Sequence, residues 1–527
     1  MKRAINALVA VLATVAMAVA GFMGAGTAFA DEANTITINN SVAGHTYEAY
    51  QIFAGTISDK TLTDITWGAN VTENGKAVLG DAADKAASLS DVTAAESFAK
   101  AVAQYLTQTP DATANAQTEG KYVLSVSKPG YYLIKDKDGS QQNTSEAYTA
   151  YILKVAGNVE TNAKYDVPSL VKKVKENTKA DDETAYGKAY NDVADYNIGD
   201  TVPFSLFGTI PTHRTDYPKY SYTFHDTYSA GLTFDVQSVK VYMVDSESEI
   251  EGTDVTESFK VTSDAANRTF TVSCSNINAI SGIDSNKKFR VNYNATLNSN
   301  AKIGLPGNPN GAWLTFSNNP NADYSGETTP EGGESPKDYV IVFTYKLDST
   351  KVDNANPDKK LAGAKFKLQN AAGKWATVDE NGRISGWVDS KDAATEVVSD
   401  STGKFGFTGL DAGEYKLTET EAPKGYKLPQ NPFTFTITAT TANGQNWDGS
   451  MEESSASTAL TKLEVTSGDT TTEGEVNSGT VSLTVKNTSG SSLPETGGMG
   501  TIVLYAAGAV LVIAAGVYFG LKKKNAR

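Results

Sequence analysis

The chain has 527 residues, enough for several domains at the usual size of about 100–200 residues each. Its formal net charge of -15 argues against a nucleic-acid-binding protein, because such proteins present a basic surface. The single cysteine, Cys274, excludes an intrachain disulfide, and the three histidines lie far apart in the sequence. We therefore predict no cofactor, no metal site and no histidine-dependent catalytic triad.

The N-terminus has the pattern of a secretory signal peptide. Lys2 and Arg3 precede an apolar run that extends to about residue 24, and the small-residue site AFA follows at residues 28–30. We expect cleavage after Ala30, so that residues 1–30 are a signal peptide. A retained N-terminal membrane anchor is the alternative.

The mature chain is predicted to be all-β, with tandem immunoglobulin-like sandwich domains at 31–163, 164–320 and 339–488. Short runs of β-branched and aromatic residues alternate with turns, and one helical stretch lies near 94–106. Residues 321–338 are rich in glycine, proline and acidic residues and are predicted to be a linker. The polar segment 449–479 is predicted to be a long surface loop or partly disordered.

The middle block carries three ordered motifs: PSLVKKV at 168–174, YTFHD at 222–226 and LTFSNNP at 314–320. In these motifs the block resembles the sortase-assembled pilins of Gram-positive bacteria, in particular the pilin domain that forms a fimbrial isopeptide bond. The resemblance implies Cna-type sandwich domains in which a lysine amine is joined to an asparagine carboxamide with the help of a carboxyl group.

Strand alternation narrows the choice of residues for this middle-domain bond. Period-two alternation places Lys172 on one face with Leu170 and Val174, which favours Lys172 over Lys173 as the buried amine. The same argument groups Asn318 with its apolar neighbours at 314 and 316. We predict a bond from Lys172 to Asn318 assisted by Asp226, with Asn319 as the second choice of acceptor.

The last block carries KVD at 351–353, LAGAKF at 361–366, YKLTET at 415–420 and SLTVKN at 482–487. It resembles a CnaB-type, SpaA-like pilin domain with its E-box. The resemblance implies that Lys351 is the nucleophile, Glu419 the acid/base and Asn487 the acceptor. Burial suits this chemistry, because it favours the neutral amine of a lysine and the protonated form of a carboxyl.

The C-terminus carries a second targeting pattern. Leu493, Pro494, Glu495, Thr496 and Gly497 form an LPETG motif within residues 489–500. An apolar run at 501–521 is long enough for one transmembrane helix, and the basic tail at 522–527 is expected to stay cytoplasmic. The arrangement resembles the LPxTG sorting signal, in which a sortase cleaves between the threonine and the glycine.

Lys164 lies at the junction before the middle block, where backbone pilins carry their polymerising lysine. The local sequence NAK at 162–164 differs from the common Tyr-Pro-Lys form, so the match is partial. The resemblance implies that Lys164 attacks the Thr496 acyl-enzyme of another subunit, which gives a head-to-tail polymer.

The sequence thus predicts the structural backbone subunit of a covalent surface pilus, secreted and anchored to the cell wall. The alternative is an unpolymerised LPxTG-anchored adhesin or a minor pilin. The expected partners are sortases, further copies of the chain, minor pilins and peptidoglycan, with host glycans or matrix proteins as candidate ligands and no nucleic acid. An enzyme is not expected, since the carboxylates would act once on their own chain.

Overall fold

The structure is a computed structural model that describes residues 34–39, 41, 43–58, 61–89, 92–141, 146–148, 150–162, 167–178, 183–320, 324–326, 329–330, 332–442, 447, 449–490 and 499–524. The signal peptide with Ala30, the junction at 163–166 and the sorting motif at 493–497 lie outside these residues. Within them the chain forms three strand-rich units followed by one long helix.

The first unit combines two sheets with a layer of helices. Its elements are β1 (Asn34–Asn39), β2 (Tyr47–Ser58), β3 (Thr61–Trp67), α1 (Glu73–Leu79), α2 (Ala82–Ser88), α3 (Val92–Ala103), β4 (Ala112–Ala114), β5 (Tyr122–Val126), β6 (Gly130–Asp136), β7 (Ala150–Val155) and β8 (Val159–Asn162). The sheet orders are β5-β1-β8 and β3-β2-β6-β7, and β4 pairs with β2.

Strand β6 lies at the centre of this unit, and all its residues are buried. Tyr131 and Leu133 face one core, which includes residues of α2 and α3, whereas Tyr132 and Ile134 face a second core shared with the other sheet. Because successive side chains point to opposite faces of the strand, residues 131–134 contribute to both cores and are apolar on both faces.

The helical stretch predicted near 94–106 is present as α3, but α1 and α2 were not predicted. Each of these short helices begins at a side-chain cap. Thr72 accepts a hydrogen bond from the Gly75 amide, and Asp81 accepts one from the Asp84 amide. The first unit is therefore a sheet pair with an added helical layer rather than a plain sandwich.

The middle unit is a sandwich of two sheets, which confirms the predicted class. Its elements are β9 (Leu170–Lys175), β10 (Tyr190–Asn191), β11 (Val193–Asp195), β12 (Thr201–Thr209), β13 (Tyr222–Tyr228), β14 (Leu232–Val244), β15 (Thr253–Asp254), β16 (Lys260–Asp264), β17 (Thr269–Cys274), β18 (Lys288–Leu297), β19 (Asn308–Phe316), β20 (Gly333–Glu334) and β21 (Asp338–Phe343). One sheet has the order β10-β9-β12-β18-β14-β15 and the other β11-β21-β19-β13-β17-β16, with β20 added beside β19.

The last unit is also a sandwich. Its elements are β22 (Tyr345–Asp353), β23 (Lys365–Asn370), β24 (Trp375–Val378), β25 (Ile384–Val388), β26 (Val397–Val398), β27 (Lys404–Leu410), β28 (Gly413–Glu421), β29 (Phe433–Thr441), β30 (Leu460–Ser467), β31 (Thr470–Glu473) and β32 (Thr480–Asn487). The sheet orders are β27-β22-β32 and β25-β24-β23-β28-β29-β30-β31, with β26 beside β23. The first strand of this unit, β22, and its last strand, β32, are parallel neighbours. Their pairing begins with Lys346 opposite Thr480 and ends with Asp353 opposite Asn487.

The predicted linker at 321–338 and the boundary before residue 339 need correction. Strand β20 pairs with β19, and β21 pairs with both β19 and β11, so residues 338–343 belong to the middle sandwich. In β21, residues 340–343 are buried, so their burial stabilises the pairing of this strand with the middle sheet. Only Thr344 separates β21 from the first strand of the last unit.

The prediction for 449–479 is also wrong. This segment contains a short 3-10 helix, Glu453–Thr458, and the hairpin β30–β31, which extends the larger sheet beyond β29. In β30, the buried residues Leu463 and Val465 alternate with polar residues that are partly or fully exposed. An edge hairpin buries only one face, so its outer residues are Ser, Thr and Glu. This polar composition is the reason that the sequence predicted a loop or disorder.

The middle and last units share one continuous core. The Tyr345 hydroxyl donates to Asp195 at 2.9 Å, and Asn177 donates to Asp411 at 2.8 Å. The Trp447 amide also reaches back and donates to Asp192. The last helix, α4 (Met499–Lys524), is long and apolar enough over Tyr505–Lys523 to cross a membrane.

Candidate functional site

Three buried side chains of the last unit come together as predicted from the E-box. Lys351 lies on β22, Glu419 on β28 and Asn487 at the end of β32. The Lys351 ammonium nitrogen is 2.6 Å from Asn487 Oδ1, and Asn487 Nδ2 donates to Glu419 Oε1 at 2.6 Å. The parallel register of β22 and β32 produces this meeting, because it sets Asp353 opposite Asn487 and leaves Lys351 within reach.

The electrostatics of this site shift the pKa values of its lysine and its glutamate toward the uncharged forms. Burial lowers the pKa of Lys351 to about 8, against the opposing pull of Glu419. Burial also raises the pKa of Glu419, and the Lys351 charge only partly opposes that shift. A neutral amine is a nucleophile, and a protonated carboxyl can donate a proton to a carboxamide, so the three groups are arranged for amide exchange.

The middle unit contains a second buried lysine site. The Lys172 side chain has no exposed surface, and its nitrogen is 2.5 Å from Asp226 Oδ2 and 2.6 Å from the Tyr293 hydroxyl. The same hydroxyl donates to Asp226 Oδ2 and accepts from Asn310 Nδ2, both at 2.8 Å. Lysine and tyrosine come from one sheet, on β9 and β18, whereas the aspartate and asparagine come from the facing sheet, on β13 and β19.

Burial again opposes charge at this second site. It lowers the pKa of Lys172, although Asp226 acts in the other direction, and it raises the pKa of Asp226 despite the nearby lysine. Asp226 Oδ1 and Asn310 Oδ1 are both buried without a hydrogen-bond partner. An unpartnered Asp226 Oδ1 is consistent with a neutral carboxyl, because an ionised carboxylate accepts hydrogen bonds at both oxygens.

The structure does not bring Asn318 to Lys172. Asn318 donates from its side chain to the backbone carbonyls of Gln141 and Glu146 in the first unit, and its own carbonyl accepts from the Tyr148 amide. On β19, Ala312 stands opposite Asp226, so Asn318 lies six residues further on, or about 20 Å along an extended chain.

The two second-choice residues also have other surroundings. Asn319 accepts a hydrogen bond from Tyr324 through its backbone carbonyl. Lys173 is buried, which strand alternation did not predict, but it pairs with Asp192 and lies over the Tyr186 ring. Both faces of β9 are therefore covered, and each of its two adjacent lysines has a carboxylate partner.

Asn310 and Tyr293 are the residues that sequence reasoning missed. Asn310 lies on β19 and Asn318 two residues beyond its end. Both are an even number of positions from Leu314, so alternation in the sequence alone could not separate the two. The deciding information is the register, which sets Tyr228 opposite Asn310. Nothing in the local sequence distinguishes Tyr293 from the other tyrosines of the chain.

Lys164, Ala30 and the sorting motif with Thr496 and Gly497 lie outside the described residues. Their assigned roles therefore stay predictions. The nearest described positions are Asn34 for Ala30, Asn162 for Lys164 and Met499 for the sorting motif.

Comparison with known proteins connects these sites to a family. A Gram-positive pilin backbone subunit 2, Cna-B-like domain, matches residues 198–320, and a SpaA prealbumin-like fold domain matches residues 345–449. An LPXTG cell wall anchor motif matches residues 485–526. This chain carries the domains of a Gram-positive pilin. The anchor motif further makes the pilin a cell wall-anchored surface protein.

Individual relatives agree with this assignment. The trypsin-resistant surface T6 protein of Streptococcus pyogenes serotype M6 is 26% identical over 375 residues, which cover 62% of the pilin and 65% of the T6 protein. The alignment thus spans slightly less than two thirds of that relative's length.

Two solved structures share the fold. The T6 backbone pilin of serotype M6 Streptococcus pyogenes has a TM-score of 0.52 at 20% identity, covering 87% of the pilin and 99% of that chain. The full-length major pilin SpaD from Corynebacterium diphtheriae has a TM-score of 0.50 at 17% identity, covering 88% and 99%.

Proposed function

We propose that this pilin is the structural backbone subunit of a covalently polymerised surface pilus. A sortase cleaves between Thr496 and Gly497, and Lys164 of the next subunit resolves the acyl-enzyme to give a head-to-tail chain. The last subunit is transferred to peptidoglycan. Sortases, further copies of the pilin and minor pilins are the partners, and the polymer supports adhesion.

The observation that carries this proposal is the buried group of Lys351, Glu419 and Asn487. A backbone subunit must keep its domains folded under load outside the cell, and this chain has no disulfide with which to do so. An isopeptide bond from Lys351 to Asn487 would replace it. The contacts at 2.6 Å and the opposed pKa shifts support that bond.

The middle domain is proposed to carry a second bond, from Lys172 to Asn310, assisted by Asp226, which contacts the lysine nitrogen. Asn310 replaces Asn318 in this proposal because both Lys172 and Asn310 contact the same hydroxyl. Each bond forms when the lysine nitrogen attacks the side-chain carbonyl carbon and ammonia leaves. Every site reacts once on its own chain, so this is autocatalysis without turnover rather than enzyme activity.

Removal of the proposed polymerising amine tests the function. In cells, Lys164→Ala should abolish the high-molecular-weight ladder in cell-wall extracts while monomer stays attached to the wall, because the sorting signal is intact. Lys240→Ala, which removes a half-exposed lysine of the middle domain, is the matched control and should leave the ladder unchanged. A full ladder from the Lys164 variant would contradict this lysine's role, and absence of any ladder from the wild type would favour an unpolymerised wall-anchored adhesin.

A further inference from the structure

The Tyr293 hydroxyl is the point at which the reacting groups of the middle domain meet. It accepts from the Lys172 nitrogen at 2.6 Å and from Asn310 Nδ2 at 2.8 Å, and it donates to Asp226 Oδ2 at 2.8 Å. These three contacts use the one donor and both acceptor sites of a phenolic hydroxyl. The oxygen therefore touches both nitrogens that must exchange a proton during the reaction.

In the last domain, the carboxyl contacts the asparagine nitrogen directly and lies near the lysine nitrogen, with no tyrosine between them among the described contacts. There Asn487 Nδ2 donates directly to Glu419 Oε1, and Lys351 lies 3.8 Å from Glu419 Oε2. One carboxyl can thus take a proton from the amine and deliver another to the leaving nitrogen. In the middle domain, Asn310 Nδ2 donates to the Tyr293 hydroxyl instead of to the carboxyl, so among the described residues Tyr293 stands between the leaving nitrogen and Asp226.

We propose that Tyr293 is a catalytic residue of the middle domain, which relays a proton from the attacking amine of Lys172 to the departing nitrogen of Asn310. This inference rests on the proposed Lys172–Asn310 bond. The lysine nitrogen forms a bond to Asn310 Cγ and releases one proton to the Tyr293 oxygen. The hydroxyl's own proton, which is directed at Asp226 Oδ2 before the reaction, turns to Nδ2 and is transferred to it. The Cγ–Nδ2 bond then breaks, and ammonia leaves with the tyrosine regenerated.

The ring is held so that the hydroxyl cannot swing away. It stacks on Phe204 at 5.2 Å between centroids, and it meets the edges of Phe234 and Phe270 at 5.7 and 4.9 Å. The side chain is almost fully buried, and burial holds its pKa well above the usual value for a tyrosine. The group therefore keeps its proton until a neighbouring proton replaces it, as a relay requires.

Tyr293→Phe in the full chain, extracted in detergent, tests the relay, because it removes the oxygen and keeps the packed ring. Peptide mapping by mass spectrometry then reports each cross-linked peptide pair separately. We expect the middle-domain bond to form at least about 100-fold more slowly than in the wild type, the loss typical of a missing proton-transfer group. The Lys351–Asn487 pair in the same molecules should form in full.

Tyr222→Phe is the matched control, since Tyr222 is a buried tyrosine of the same core whose hydroxyl donates to the Thr209 carbonyl away from the site. It should form both bonds. A middle-domain bond formed at the wild-type rate by Tyr293→Phe would overturn the relay. Absence of that bond from the wild-type chain would instead overturn the Lys172–Asn310 proposal beneath it.

A second variant separates proton transfer from packing. Incorporation of 3-fluorotyrosine at position 293 keeps the ring and the hydroxyl but makes the hydroxyl more acidic. The relay predicts that the pH dependence of middle-domain bond formation shifts, while that of the last domain does not. An unchanged profile for both domains would assign Tyr293 a packing role and contradict the relay.

Discussion

At the scale of single residues, each proposed cross-linking site depends on groups that water would otherwise keep charged. Lys172 and Lys351 have no exposed surface, and each lies beside a carboxyl whose pKa burial raises. Burial of two opposite charges as an ion pair is costly, whereas the neutral pair avoids most of that cost. Burial in the folded domain thus shifts both groups of each pair toward the protonation states that the proposed reaction needs.

The choice between Asn310 and Asn318 gives the sharpest prediction at this scale. In the full chain, Asn310→Ala should retain one ammonia more than the wild type by intact mass, because the acceptor carboxamide is gone. Asn318→Ala should have lost both ammonias, as the wild type does, although it forfeits two hydrogen bonds to the first unit. Loss of the middle-domain bond in the Asn318 variant alone would restore the original assignment.

These two asparagines also show how far the sequence can specify the site. In the last domain, motif matching was sufficient for Lys351, Glu419 and Asn487, because each one lies in its own motif. In the middle domain, period two selects a face of β19 but not a position along it. That position depends on the register with β13, which long-range packing determines.

At the scale of elements, a similar limit explains the errors in the fold. Short polar helices and edge strands bury few residues, so α1, α2 and the hairpin β30–β31 gave weak sequence signals. The central strands of the sandwiches bury at least one full face and were recognised. The boundary after residue 338 was misplaced because β21 lies next to a Gly- and Pro-rich segment, although its side chains belong to the middle core.

The junction between the middle and last domains contains buried carboxyls that repel one another. Burial, followed by the neighbouring Asp195 and Glu176, holds the pKa of Asp411 well above its usual range. Burial and Asp195 likewise raise the pKa of Glu176 to about 7. Asn177 donates to Asp411 and Asn197 donates to Asp200 at this junction. Among the described residues, no lysine or arginine offsets the raised pKa of Asp411 or of Glu176.

This junction predicts a pH dependence with a definite sign. The folded chain keeps protons on these carboxyls that the unfolded chain releases above about pH 4, so stability falls as the pH rises from about 4 through 7. Asp411→Asn should flatten this decline and stabilise the chain at neutral pH. The gain is about 1.4 kcal/mol for each pH unit, up to the pH of the measurement, over which the folded chain keeps a proton on Asp411 that the unfolded chain releases. Denaturant unfolding of the wild type and the variant at several pH values measures this difference in the free energy of unfolding.

Asp358→Asn is the control for that experiment, because Asp358 is an exposed acidic residue of the last domain away from the junction. It should leave the pH profile unchanged. An Asp411 variant that is less stable than the wild type at pH 7 would mean that the carboxyl is ionised and stabilising in the folded chain.

At the scale of the whole molecule, the proposed bonds close very long loops. Lys351 and Asn487 are 136 positions apart, so their bond would remove conformational freedom from almost the whole unfolded last domain. The loop-closure relation used for disulfides gives about 5 kcal/mol for a loop of this size. Glu419→Gln, which keeps the side chain's size but cannot act as an acid, should forfeit that stabilisation.

Hydrogen exchange of the β22 and β32 amides in the full chain measures this loss, since it reports on the last domain separately from the others. Glu421→Gln changes an exposed carboxyl two residues along the same strand, and it should leave both the bond and the exchange rates unchanged. If Glu419→Gln exchanged as slowly as the wild type, the stability of the last domain would not depend on the bond.

The parallel pairing of β22 and β32 has a mechanical consequence. Tension along a pilus would enter the last domain at the start of β22 and leave it at the end of β32, which are opposite ends of the same ladder. The two strands would then be pulled past each other in shear, so that their hydrogen bonds share the load instead of opening one after another like a zip. A bond between Lys351 and Asn487 would carry the tension directly from one strand to the other, and the residues between them would bear none of it.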